Sequence, residues 1–361
     1  MQFSGEAGLL LDTVKAVYRA TSRKSTLPIL AHVMLQAAEG RLTATATDLN
    51  VALSISSPVQ VVEPGAVTLP ARELRQVLET FAPTMTVLLR VEESRYGLRV
   101  TITCGEVTVT LFGLPADEFP QVMPVAVGVS VTFPSGVWPA LLRKVSHAMH
   151  DDEIRRVLCG VHLYREEAAY VLTATDTHRL ALATHQMDGP DVCVTLPREA
   201  VPLMAGMRGD EVAITVGEGT CDVRCGALWL HTRTIDGQYP DCRRVVPRDA
   251  PQRWIVERAY WLRALKRGVL LSAEGKVYHT VDNAGLIVRS ESEDGHCRER
   301  LSLCTFGEEH ETAFNAAYLI DMLARSTSET VAFYQANALA PCQVIDDDAG
   351  WVNVIMPMQT L

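Results

Sequence analysis

Apolar positions along this chain recur with two periods, and the two take turns. Residues 98–112 alternate strictly, with Leu98, Val100, Ile102 and Cys104 before Gly105-Glu106 and Val107, Val109 and Leu111 after it. That spacing predicts a half-buried antiparallel hairpin. Val212, Ile214 and Val216, a turn at Glu218-Gly219, then Cys221, Val223 and Cys225 repeat the pattern. Residues 42–55 and 170–183 read as two further hairpins, turning at Thr47-Asp48-Leu49-Asn50 and at Asp176-Thr177. Elsewhere the spacing shifts to that of an amphipathic helix, over residues 9–21, 137–150 and 259–272. A strand runs straight into a second helix at Val67-Thr-Leu-Pro-Ala-Arg-Glu-Leu, Val194-Thr-Leu-Pro-Arg-Glu-Ala-Val and Thr312-Ala-Phe-Asn-Ala-Ala-Tyr-Leu.

The elements therefore come in three sets. Pro70 to Pro197 is 127 residues and Pro197 to Asn315 is 118, and each third closes on Phe119-Pro120, Tyr239-Pro240 or Met356-Pro357. So long a period means three copies of a domain rather than a solenoid of small repeats. Helices on one face of antiparallel sheet make each copy an α+β domain. The three are expected at residues 1–125, 126–250 and 251–361, with boundaries near 124–130 and 248–253 where proline and short polar residues collect.

Composition narrows the class. Hydrophobic residues make up 48% and charged residues 21%, ordinary for a soluble globular chain. The nine cysteines form no Cys-x2-Cys pair, which points to free thiols in a reducing, cytoplasmic compartment. The first residues lack a basic leader and a cleavage site, and no apolar run is long enough to span a membrane. Net charge is −10, which by itself argues against a nucleic-acid partner. Its distribution argues the other way. The six predicted helices with their flanks carry +9, leaving −19 for the rest. Helices sharing one face would attract a polyanion while the remaining surface repels it.

Catalytic chemistry finds little support. Asp176 and His178 flank a hairpin turn, but no nucleophile motif accompanies them, and there is no phosphate-binding Gly-x4-Gly-Lys loop and no His-Glu-x2-His. Cys221 and Cys225 share a strand face without a second ligand pair, so they read as core thiols. Asp346-Asp-Asp348 reads as a solvated turn and not as a cation site. No metal, cofactor or catalytic residue is expected. A hydrolase or transferase built on repeated α+β domains is the competing reading, and the missing motifs disfavour it.

Seven segments spread over the whole chain follow one another in a recognisable order. They are Thr26-Leu-Pro-Ile-Leu30, Thr45-Ala-Thr-Asp48, Leu69-Pro-Ala-Arg72, Ala174-Thr-Asp-Thr-His-Arg-Leu180, Tyr239-Pro-Asp-Cys-Arg-Arg-Val245, Phe314-Asn-Ala-Ala-Tyr-Leu319 and Val354-Ile-Met-Pro-Met358. Together they resemble the bacterial sliding clamps, the β subunit of DNA polymerase III. The resemblance implies three tandem DNA-clamp domains, with helices on the inner face of antiparallel sheets, and a head-to-tail homodimer closed into a six-domain ring. It implies a non-enzymatic processivity factor that encircles double-stranded DNA without sequence preference. Its further partners would be the replicative polymerase, the clamp loader and other clamp-motif proteins. A specialised paralogue for repair, a mobile element or inhibitor resistance is the second reading.

Site residues follow from the resemblance position by position. Lys24, Arg72 and Arg198 match DNA-facing positions; Arg143, Lys144, Arg263 and Lys266 are added from helix charge alone. A pocket for short peptides of the Gln-Leu-x-Leu-Phe type matches Leu158, Thr175, Thr177, His178, Arg179, Leu180, Pro240, Arg244, Val245, Pro341, Val354, Ile355, Met356, Pro357 and Met358. The dimer seam matches Val77, Phe81, Val109 and Leu111 on one side and Leu270 and Leu271 on the other. Three departures fall at the pocket. Thr177 stands where the family usually has Gly or Ser, Cys242 stands where an aromatic is common, and the Gln-Thr-Leu361 tail is one residue longer than usual and lacks its Arg.

Overall fold

The structure, a computed structural model, describes every residue except 23–24, 95–96, 248–251, 283, 307–308, 348–349 and 360–361. Among the described residues six α-helices form: α1 (Ala7–Tyr18), α2 (Ala71–Glu79), α3 (Val137–Val145), α4 (Val201–Met204), α5 (Arg258–Gly268) and α6 (Ala316–Leu323). They fall where the amphipathic spacing put them, with one exception. The helix anticipated after Pro197 is cut to the four residues of α4, with a turn in place of its first part. Pro202 lies inside that segment, and the ring of a proline removes a helical hydrogen bond. By contrast Asn315 opens α6 by accepting from the Ala317 N–H at 3.0 Å, a side-chain cap.

The helices lie on four antiparallel sheets, two in each of two compact units. The first unit comprises residues 1–136 and 202–234, the second 137–201 and 235–361. In the first, a five-stranded sheet runs Gln60–Glu63, Gln2–Glu6, Thr86–Ser94, Gly97–Cys104, Val107–Gly113. Its eight-stranded sheet runs Val129–Pro134, Glu211–Val216, Thr220–Cys225, Leu228–Arg233, Val51–Pro58, Arg41–Thr47, His32–Ala38, Gly65–Pro70. In the second unit a nine-stranded sheet runs Cys193–Pro197, Gly160–Glu166, Ala169–Thr175, Arg179–Gln186, Trp351–Ile355, Cys342–Ile345, Thr330–Gln335, Gln252–Glu257, Leu303–Phe306. A four-stranded sheet runs Gly295–Leu301, Gly285–Ser292, Lys276–Asp282, His310–Asn315.

These orders contain a rule. The eight- and nine-stranded sheets are each two half-sheets from successive repeats, joined edge to edge. Val51–Pro58 pairs with Leu228–Arg233, and Arg179–Gln186 pairs with Trp351–Ile355. The first member comes from one repeat and the second from the last strand of the next. Sheet continuity thus crosses the boundaries between repeats, because each edge presents unpaired backbone groups that the next repeat satisfies. One half-sheet of each kind stays alone: the five-stranded sheet ends on Val107–Gly113, the four-stranded sheet on Gly295–Leu301.

The four predicted hairpins all form at the anticipated turns. Burial departs from expectation in one of them. Gly97–Cys104 is alternately buried, but its partner Val107–Gly113 is not, with Val107 49% and Phe112 57% exposed. Alternation fixed the strand, and the open edge explains the missing cover.

Candidate functional site

Within the second unit, the turn between Ala169–Thr175 and Arg179–Gln186 is tied by its own side chains. Thr175 Oγ1 donates to the Arg179 carbonyl at 2.7 Å and accepts from the Thr177 N–H at 3.1 Å. Asp176 Oδ1 accepts from the N–H groups of His178 and Arg179 at 3.0 and 2.9 Å. Thr177 takes φ +77°, a left-handed conformation uncommon for a β-branched residue. The carboxylate that might have served acid–base chemistry is therefore occupied in holding a turn.

That turn walls a cavity of about 260 Å³. Ten of the fifteen sequence-assigned residues line it: Leu158, Thr175, Thr177, His178, Arg179, Leu180, Pro240, Val245, Val354 and Met356. Asp241 and Cys242 join them. Its floor is a buried cluster of Leu158, Val171, Leu180, Leu182, Tyr239, Cys242 and Val354. Arg244 and Pro341 line an adjoining depression that shares Val245 and Met356 with the first. Ile355 lies outside both linings and is buried in the sheet, and Pro357 and Met358 also fall outside them. The Met358 backbone instead bridges Ala313, its N–H donating at 2.7 Å.

Electrostatics make this an apolar slot with fixed charges at its rim. Arg179 is held on three sides, by Asp176 Oδ2 at 3.0 Å, by Asp321 Oδ2 at 3.0 Å and by the Tyr318 ring 4.3 Å from Cζ. Its aliphatic stem can line the slot while the guanidinium is spoken for. Arg244 pairs with Asp241 at 2.8 Å. Burial pushes the Cys242 thiol up to about 11, so it is a neutral wall residue. Burial likewise raises the Tyr239 phenol, whose oxygen accepts from the Thr175 N–H at 3.1 Å. Nothing here activates a nucleophile. Among the described residues, no group of three or more His, Cys, Asp or Glu could hold a metal ion.

The cationic positions separate into two kinds. Arg72, Arg143, Arg198, Arg263 and Lys266 are exposed. Arg198 also donates to the His150 carbonyl at 3.2 Å. Lys144 behaves differently. It is half-buried, its ammonium lies 6.0 Å from the Trp351 ring centroid, and burial lowers its pKa. Helix charge alone could not reveal that contact with Trp351. Lys24 lies outside the described residues. Part of the helix charge is also cancelled locally: Lys15 and Arg75 share Glu79 at 3.2 and 3.0 Å, and Arg267 grips Glu299. At the sequence-assigned seam positions, Val77, Phe81, Val109 and Leu111 are half-buried, and Leu270 is 79% exposed.

Known proteins resemble this one along its whole length. The family model for the DNA polymerase III beta subunit N-terminal domain matches residues 1–124, that for the central domain 133–241 and that for the C-terminal domain 243–359. The beta sliding clamp of Escherichia coli K12 is 28% identical over 369 residues, covering 99% of this chain and 100% of that protein. The beta sliding clamp of Caulobacter vibrioides is 29% identical over 383 residues, with the same coverage. Among solved structures, a Pseudomonas aeruginosa sliding clamp bound to griselimycin superposes with a TM-score of 0.93 at 27% identity, covering 100% of both chains. A C. crescentus clamp with polyethylene glycol at a putative beta-motif tethering region gives 0.91 at 28% identity, covering 100% of this chain and 99% of that one.

Proposed function

The chain belongs to the DNA polymerase III beta subunit family, and from that premise we propose how it works as a DNA sliding clamp. Two copies close head to tail into a ring around duplex DNA. The observation that carries this is the edge rule in the sheets. Inside the chain, each first half-sheet is completed by the last strand of the following repeat. Among the described residues, the two strands left without such a partner are Val107–Gly113 and Gly295–Leu301, one of each kind. By the same rule the free edge of one copy completes that of another, and two copies do so through two identical heterologous contacts that close. Exposed Val107 and Phe112 on one edge, and Leu270 beside the other, supply apolar area for the seam.

Arg72, Arg143, Arg198, Arg263 and Lys266 then meet phosphates from inside the ring, with Lys24 by family position. Contacts to the backbone carry no sequence information, which suits a protein that must slide. Retention comes from topology, so affinity can stay low. The slot between the 175–179 turn, Pro240 and Met356 receives the apolar tail of a partner's linear peptide, and Met356 repacks around different side chains. Polymerase and clamp loader thus share one socket, and the molecule acts by tethering, not by catalysis.

The seam is tested with Leu270→Ala combined with Leu271→Ala, followed by light scattering on a sizing column. The double variant elutes as a monomer if the seam is where we place it, and an unchanged dimer overturns the assignment.

A further inference from the structure

The peptide slot has a counterpart in the first unit, whose turn is tied by the same four hydrogen bonds. At the turn between Arg41–Thr47 and Val51–Pro58, Thr47 Oγ1 donates to the Val51 carbonyl at 2.9 Å and accepts from the Leu49 N–H at 3.0 Å. Asp48 Oδ1 accepts from the N–H groups of Asn50 and Val51 at 3.0 and 2.8 Å. Leu49 takes φ +77°, as Thr177 does. The flanking strand is also equivalent. Ala52 pairs with His231 as Leu180 pairs with Val354, and the Arg233 N–H donates to the Asn50 carbonyl as the Met356 N–H donates to His178. Buried Phe119 followed by Pro120 stands where buried Tyr239 is followed by Pro240. These elements enclose a cavity of about 470 Å³ lined by, among others, Leu49, Pro120, Met123, His231 and Arg233.

The lining differs from the first slot in a directed way. Two cavity-wall apolar positions have become basic or titratable, Met356 to Arg233 and Val354 to His231. Apolar surface remains: Leu49 is 48% and Met123 71% exposed. Leu49 pays a left-handed backbone strain while about half its side chain stays in water. The acidic groups at this site are turned inward. Asp48 caps its own turn, and buried Asp222 takes the Val125 N–H at 3.0 Å and holds His231 Nδ1 at 2.8 Å. Arg233 is exposed and makes no ion pair among the described residues.

We propose that this cavity is a second docking site, taking a short linear peptide in which an aliphatic side chain sits beside a carboxylate. The aliphatic group lies against Leu49 and Met123, and the carboxylate meets Arg233 and His231. This rests on the reading of the first slot as a peptide socket, from which it borrows the architecture. It departs in specificity, because a guanidinium replaces the adaptable methionine.

The test uses the full chain carrying Met356→Arg, which blocks the first slot. Fluorescence anisotropy follows labelled hexapeptides with a Leu-Leu core flanked by one to three aspartates. At least one peptide binds saturably at one per chain, and Arg233→Glu weakens it tenfold or more. Leu49→Asn, which suits a left-handed turn and so keeps the fold, weakens it at least threefold. The site is refuted if no peptide in the panel saturates, or if both variants bind as the parent does. A Gln-Leu-x-Leu-Phe peptide on a chain that keeps Met356 and carries Arg233→Glu alone separates the two claims. Its normal binding there, beside a failed panel, removes the second site alone, whereas its failure on the unmodified chain removes the first reading.

Discussion

At the scale of single residues, the pocket turns on side chains whose roles the sequence could name only in part. Met356 is exposed and lines both depressions, while Met358 is tied by its backbone to Ala313. Met356→Ala therefore costs peptide binding about 1 kcal/mol, roughly fivefold in affinity, while Met358→Ala changes it by less than twofold. Titration calorimetry with a Gln-Leu-x-Leu-Phe peptide distinguishes them, and equal losses would contradict the geometry. Acid sensitivity is set deeper. His279 is fully buried, accepts from Trp261 Nε1 at 3.0 Å, and burial lowers its pKa to about 4. Because the unfolded chain takes up this proton near pH 6.5 and the folded chain only near pH 4, stability is complete above that window and declines as pH falls through it. The slope is about 1.4 kcal/mol per pH unit for one such proton. His279→Gln keeps an acceptor for Trp261 and removes the titration, so urea melts at pH 7 and pH 4.5 differ less than in the parent. The Thr175–Arg179 turn was legible in the sequence as a hairpin turn. The burial of Lys144 against Trp351 was not, since it joins residues far apart in the chain.

At the scale of elements, period-2 spacing located four hairpins and period-3.6 spacing the first helix of each repeat, and both missed what depends on neighbours. Val107–Gly113 alternates like a half-buried strand yet lies open, because cover is a property of the sheet and not of the strand. The edge-to-edge joining of repeats was equally invisible, since Leu180 meets Val354 and Ala52 meets His231 with no local signal. Once seen, the joining makes a sharp prediction. Gly105-Glu106 forms a two-residue turn closed by Cys104 and Val107, so alternate N–H groups, those of Thr108 and Thr110, point away from the hairpin. Thr110→Pro removes an outward donor without breaking an inward one. It should raise the dimer dissociation constant tenfold or more by analytical ultracentrifugation while leaving the thermal melt of the chain nearly unchanged. An unaltered dimer would mean that this strand is not the seam.

At the scale of the whole molecule, an acidic protein that handles a polyanion must sort its charge. The helices and their flanks carry +9 and the remainder −19, a division the sequence already displayed. In the ring proposed above, the division is useful because helices face the duplex and the rest faces away. Contacts of this kind weaken with salt, whereas a closed ring stays on closed DNA regardless. The most direct measurement loads the protein onto nicked circular DNA with a clamp loader, isolates the complex at moderate salt, and then linearises the DNA. The account predicts that protein remains with the circles and runs off once free ends exist, unless those ends are blocked. Protein that stays on unblocked linear DNA, or that leaves the intact circle as fast as the cut one, would contradict encirclement.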